Sequence, residues 1–240
     1  MRVNLNNLTK LDFKSSEAYK ILRTNIEFCG NDVKVIVITS CRPAEGKSSV
    51  SFNLAIAMAE SGKKVVFIDA DLRKSVIVGR YRVSKATEGL SNYLCGQREL
   101  DKVIYTASEK NLDFIFSGPV PPNPAELLGN DLFKDMIKAL REEYDYVIID
   151  TPPLGAVIDS AIIAKESDGS IIVVEANKVD YKFVQRVTEQ LSKSNSRILG
   201  AILNKVDMST KGYYGKYYGS YYGGYYGYYG DKKDDKPERK

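Results

Sequence analysis

VKVIVITSCRPAEGKSSVSFNLAIAMAES, residues 33–61, places a β-branched apolar run, a short polar loop and a helical pattern in direct succession. The first seven residues are too short for a helix of their own and apolar enough for a strand buried on both faces. Working outward, the same kind of run recurs as KVVFID (64–69), LDFIF (112–116), YVIID (146–150), SIIVVEA (170–176) and ILGAIL (198–203). Helical patterns fill the spaces, notably 48–61, 132–144 and 182–194. Strand and helix therefore alternate, which predicts an α/β domain with a doubly wound, mostly parallel sheet and helices on both faces. Ligands of such sheets bind at the carboxyl ends of the strands, so chemistry is sought there.

At 240 residues, 43% hydrophobic and 28% charged, the chain suits one soluble globular domain plus a tail. Its net charge of +4 is concentrated at one end: from Ser209 onward seven Lys/Arg face four Asp/Glu, leaving +1 for the body. That body carries no field of the kind that attracts phosphate backbones, and nucleic acid is not an expected partner. Cys29, Cys41 and Cys95 lack the paired spacings of zinc or disulfide frameworks and read as reduced cytosolic thiols. No apolar run is long enough to cross a membrane, and the polar start MRVNLNNLTKLDFKSS is unlike a signal peptide. Residues 15–28 predict an N-terminal helix capped by Ser15 or Ser16. The expected organisation is a helical segment over 1–30, a nucleotide-binding domain over 31–208 and a flexible tail over 209–240.

The loop after the first run ends in Gly46, Lys47 and Ser48, followed by a helix, which is the context of a P-loop. Backbone amides and the helix start would cradle phosphates, Lys47 would neutralise their outer oxygens, and the Ser48 hydroxyl would hold Mg²⁺. Cys41 stands where that motif has its first glycine; the alternative is a plain surface helix start. Asp69 and Asp71 follow at a strand's carboxyl end, two residues apart and so expected on one side of it, where a cation or a proton would relieve their repulsion. The competing reading is a solvated turn with Arg73 as ion-pair partner. Asp150 ends another strand as a Walker B carboxylate would, or merely caps the turn before Pro152 and Pro153.

PAEGKSS (43–49), DADLR (69–73) and VIIDTPP (147–153) together resemble the Walker A, A′ and B motifs of bacterial tyrosine kinases, specifically the Gram-positive capsule and exopolysaccharide type (CpsD/CapB). The resemblance implies a P-loop NTPase-like fold with ATP and Mg²⁺ as cofactors. Ala44, Glu45, Gly46, Lys47, Ser48 and Ser49 would line the phosphates. Ser48, Asp71 and Asp150 would hold the metal, and Asp69 would accept the tyrosine proton, completing a catalytic set with Lys47. Asn204 lies where related folds read the base, though a strand-terminating turn residue fits equally. Glu17, Lys20 and Arg23 match a Glu-x-x-Arg-x-x-Arg subunit-contact motif with Lys20 replacing the middle Arg, implying a ring-shaped homo-oligomer; a solvated i, i+3 ion pair is the simpler account.

After Asp207 the chain holds ten of its 17 tyrosines, Tyr213, Tyr214, Tyr217, Tyr218, Tyr221, Tyr222, Tyr225, Tyr226, Tyr228 and Tyr229, paired among Gly, Lys and Ser. Such a tract could stack on RNA bases, but Arg239 is its only arginine. With the kinase motifs, the tyrosines are the expected phosphoacceptors. The family further implies a membrane-bound polysaccharide co-polymerase as activator, a tyrosine phosphatase, and a cytoplasmic location at the inner face of the cell membrane. Two rivals remain: a partitioning or positioning ATPase without a protein acceptor, and a binding module in which ATP only drives assembly through Glu17 and Arg23.

Overall fold

The structure, a computed structural model, describes residues 2–3, 11–83, 88–107 and 111–207. Among the described residues eight strands form one sheet: β1 (Arg2–Val3), β2 (Val35–Ser40), β3 (Val65–Asp69), β4 (Tyr105–Ala107), β5 (Leu112–Ile115), β6 (Tyr146–Asp150), β7 (Gly169–Glu175) and β8 (Ile198–Asn204). Their order is β1-β4-β5-β3-β6-β2-β7-β8. Every pairing is parallel except β4 with β5. The six strands read from the sequence are all present within a few residues; β1 and β4 are additions. Both are too short for a periodic signal, and β4 forms only because the chain turns back on β5.

The main helices are α1 (Phe13–Glu27) and α2 (Lys47–Glu60); then come α3 (Ile77–Arg80), α4 (Leu90–Leu94), α5 (Leu100–Val103), α6 (Pro124–Leu128), α7 (Asp131–Glu143), α8 (Asp159–Ala164) and α9 (Tyr181–Ser192). In α7, Phe133, Met136, Ile137 and Leu140 are buried, the i, i+3, i+4, i+7 stripe of a helix laid on a sheet. The α1 start differs from the expected Ser15 or Ser16 cap. Asp12 is the N-cap, its carboxylate accepting from Ser15 N at 2.7 Å, so the helix begins at Phe13, before either serine.

All residues of β2, β3 and β6 are buried. One core layer joins them to α1 and α2 through Ile26, Phe52, Leu54, Met58 and Phe67. The opposite layer packs them on α4, α6 and α7 through Leu94, Leu128, Phe133 and Leu140. Phe52 of α2 stacks on Tyr81 just after α3, ring centroids 3.8 Å apart. The helix that follows the loop is thus clamped on both sides, and its first residue is held still relative to the strand ends.

Candidate active site

Chain reversal after β2 needs left-handed backbone at two points. Ala44 has φ 67° and Gly46 φ 92°, and Gly46 is the N-cap of α2. Only Gly meets such φ without Cβ strain, so Ala44 is held there by its surroundings. Glu45, 2% exposed, supplies much of that hold. Its Oε2 accepts from Arg42 N at 2.6 Å, and its carbonyl accepts from Asn204 Nδ2 at 2.9 Å. Asn204 at the end of β8 therefore braces the loop from outside. The Cys41 side chain, standing where the motif has a glycine, is buried in a small cluster with Leu154, Ala161 and Val187, while Gly155 lets the loop backbone come close: a Cβ there would lie 2.2 Å from the Cys41 carbonyl oxygen. Burial, then the Glu45 charge, pushes the Cys41 thiol up to about 11, so it stays protonated and unreactive at neutral pH.

Lys47, the first residue of α2, points back over the strand ends. Its Nζ donates to Ser48 Oγ at 3.0 Å and lies 3.4 Å from Asp150 Oδ2 and 3.6 Å from Asp71 Oδ2. Asp69 and Asp150 are register partners on β3 and β6, both essentially without solvent exposure. This corrects the expectation of one strand face shared by Asp69 and Asp71: β3 ends at Asp69, and Asp71 sits in the following turn, its Oδ1 accepting from Lys74 N at 3.0 Å. The strongest like-charge neighbour of Asp69 is accordingly Asp150 across the sheet. Burial first, then that neighbour, raises Asp69 to about 7, while Ser75 Oγ, donating to its Oδ2, and Lys47 pull it down. Burial likewise raises Asp150, opposed by Lys47, Ser48 and Ser51.

Three carboxylates thus surround one ammonium, and the site is short of positive charge. Among the described residues no group of three or more His, Cys, Asp or Glu makes a ready metal cage. The donors present, one hydroxyl and carboxylates, are the hard oxygens that Mg²⁺ uses when phosphates and water complete its shell. The residues fit such an ion.

Ser51 was not anticipated. One turn beyond Ser48 on α2, its Oγ donates to Asp150 Oδ1 at 3.0 Å, and the spacing of three from Ser48 was the available signal. Arg73 does not pair with Asp69 or Asp71; its guanidinium grips Asp159. The motif on α1 divides: Lys20 and Glu17 form an exposed ion pair at 2.7 Å, whereas Arg23 turns inward, donating from Nη1 to the Ala57 carbonyl at 3.1 Å. The ten tail tyrosines, 213 to 229, lie outside the described residues.

Replacing Asn204 with Ala removes the brace on Glu45. Loss of one such hydrogen bond is worth about 1 kcal/mol, so a fluorescent ATP analogue should bind about fivefold more weakly in a titration. Unchanged affinity would show that the loop holds itself.

The family described as an AAA domain matches residues 33–204. The tyrosine-protein kinase CpsD of Streptococcus agalactiae is 44% identical over 204 residues, covering 84% of this chain and 89% of that protein. The solved kinase domain of the Escherichia coli tyrosine kinase ETK is 39% identical with a TM-score of 0.76, covering 80% of this chain and 75% of that one. More remote is the septum site-determining protein MinD of Pyrococcus horikoshii, solved with Mg-ADP, at 26% identity, TM-score 0.64 and coverage of 75% and 73%. The positioning-ATPase alternative is therefore not favoured. With its P-loop, its paired strand-end carboxylates and 44% identity to a kinase over most of both chains, the chain belongs to the bacterial tyrosine-protein kinases, nucleotide-binding enzymes that phosphorylate tyrosine.

Proposed function

We propose that this kinase transfers the γ-phosphate of ATP to the tyrosines at 213–229 of its own kind of chain, within an oligomer, and thereby regulates capsular or extracellular polysaccharide synthesis. The observation that carries the chemistry is the meeting of Lys47 with Asp71 and Asp150 beside a buried Asp69. The loop amides over 44–49 and the start of α2 take the phosphates, and Lys47 neutralises the γ-phosphoryl oxygens. Ser48, Asp71 and Asp150 would hold Mg²⁺, which when bound spreads charge from the phosphate oxygens. A tyrosine phenol, a poor nucleophile at its ordinary pKa near 10, gives its proton to the Asp69 carboxylate as its oxygen bonds to the γ-phosphorus. The bond from that phosphorus to the bridging oxygen breaks, and ADP departs with the electron pair.

Composition supports the tail as acceptor. Gly beside each Tyr pair lets a chain enter a site extended, and a tether of about 30 residues gives an effective concentration near millimolar, so weak recognition suffices. The α1 residues Glu17, Lys20 and Arg23 serve subunit contact in this reading, with the inward Arg23 held by α2. Asn204, at the end of β8, would read the nucleotide base. A membrane co-polymerase would recruit and activate the enzyme at the inner face of the membrane, and a phosphatase would reset the tail. No helix among the described residues is long and apolar enough to cross a membrane, so attachment through a partner is consistent with the fold.

Replacing all ten tail tyrosines by Phe should lower total phosphotyrosine by about tenfold or more after incubation with Mg-ATP, since the tethered acceptors dominate. Binding of a fluorescent ATP analogue should be unchanged. Undiminished phosphotyrosine, mapped by mass spectrometry elsewhere, would replace the tail with another acceptor.

A further inference from the structure

Arg73 stands four residues after Asp69, which ends β3, and two after Asp71 in the turn that follows. Its Nε donates to Asp159 Oδ2 at 2.7 Å and its Nη2 to Asp159 Oδ1 at 2.9 Å, a planar fork on a carboxylate. The two ends differ in freedom. The Asp159 side chain has no exposure, while that of Arg73 is 40% exposed.

Asp159 is also the fixed end. It opens α8, and the next residue, Ser160, donates to the Pro152 carbonyl. Thr39 Oγ1 of β2 lies within hydrogen-bond distance of both, 3.0 Å from that same carbonyl and 3.1 Å from Ser160 Oγ. This buried net ties the start of α8 to the chain leaving Asp150, so Asp159 cannot follow Arg73 if the turn shifts.

A guanidinium is always charged and takes any carboxylate in reach. The alternative closest to it in the chain is Asp71, two residues before Arg73 in the stretch that leaves β3. In the present arrangement Asp71 Oδ1 accepts from Lys74 N and Oδ2 faces Lys47 Nζ, with no Arg73 contact. A fork from Arg73 onto Asp71 would occupy both oxygens and cancel the charge that a cation needs.

We propose that Asp159 is a positioning residue that sequesters the Arg73 guanidinium, keeping the Asp71 carboxylate open to Lys47 and to a divalent cation. This rests on the assignment of Asp71 to the metal in the proposed function. It differs from simple scaffolding in one respect. If the pair mattered only as a strut, removing both partners would be at least as harmful as removing one. If Asp159 acts by restraining Arg73, deleting Arg73 as well cures the defect.

The test uses the full chain with ADP and Mn²⁺ as a paramagnetic stand-in for Mg²⁺, free Mn²⁺ being read by electron paramagnetic resonance, alongside melting curves. Asp159→Asn should weaken Mn²⁺ uptake about tenfold, the scale of one charge-assisted contact redirected. The double variant Arg73→Gln, Asp159→Asn should return to within about threefold of the native protein. An Asp159→Asn protein with native uptake would overturn the inference. So would a double variant with uptake as poor as the single one, and this arm decides even if Asp159→Asn alone fails to fold. Native protein taking up no Mn²⁺ beside ADP would instead remove the metal assignment itself, and this inference with it.

Discussion

Lys47→Met should abolish measurable tyrosine phosphorylation, lowering kcat/KM on the order of 10³-fold, read as phosphate incorporation per subunit. Phosphoryl transfer depends chiefly on positioned charge, and removing one such donor typically costs two to three powers of ten. Lys47 is the ammonium within 3.4 Å of Asp150 and 3.6 Å of Asp71, so no described neighbour at those distances replaces it. The substitution should also destabilise the nucleotide-free protein, because it strands carboxylates that burial already disfavours. Breaking one buried pair costs about 3–5 kcal/mol. The deficit should be largest at pH 8 and shrink as pH falls and the stranded carboxylates take up protons, a step that comes at higher pH in the variant because Lys47 no longer pulls Asp69 and Asp150 down. A Lys47→Met protein that still phosphorylates tyrosine at a tenth of the native rate would refute the phosphate role of this loop.

Asp69→Asn should separate activity from stability in opposite directions. Loss of the proposed proton acceptor is expected to slow transfer by about 10²–10⁴-fold with little change in nucleotide affinity. The folded protein meanwhile gains. Asp69 has no exposure, and its folded pKa of about 7 lies above the ordinary carboxylate value of 3.8. The folded state therefore binds that proton more tightly than the unfolded state does. Below pH 3.8 the carboxyl is neutral in both states and costs nothing; between 3.8 and 7 a penalty grows, and above 7 it is complete. At about 1.4 kcal/mol per pKa unit the penalty reaches about 4 kcal/mol at most. Asn lacks the charge, so the nucleotide-free variant should melt several degrees higher at pH 8 and no higher near pH 4, as scanning calorimetry would record. A lower melting temperature at pH 8 would mean that the Ser75 hydrogen bond to Asp69 outweighs the buried charge.

These two residues show why a phosphate site is legible in a linear sequence. Gly46, Lys47 and Ser48 are contiguous, and Asp69 and Asp150 each end a run of apolar residues, so period and position alone put them at strand ends. Asp71 was found for an incomplete reason. Alternation along a strand would align it with Asp69, yet the strand stops at Asp69, and a turn held by Lys74 N brings Asp71 to the same ammonium by another path. The Arg73 grip on Asp159 joins residues 86 positions apart and has no local signature, and the Ser51 bond to Asp150, 99 positions apart, had only the spacing from Ser48 to suggest it. The antiparallel return of β4 and the cap at Asp12 were missed for a related reason: short elements and caps are decided by what they pack or bond against.

Legible from the chain alone are the alternation of buried strands and amphipathic helices, the P-loop-like stretch proposed to take phosphates, and the tyrosine tract that follows. Those are properties of neighbours in the chain, set by side-chain period and by backbone and charge within a few residues. The tertiary structure alone decided that Asp150, not Asp71, is the chief electrostatic neighbour of Asp69, that Asn204 and Glu45 brace the loop, and that Arg73 is held by Asp159. Each is a contact between distant segments in a place where solvent is excluded, and a buried charge takes its energy from whatever the fold brings beside it.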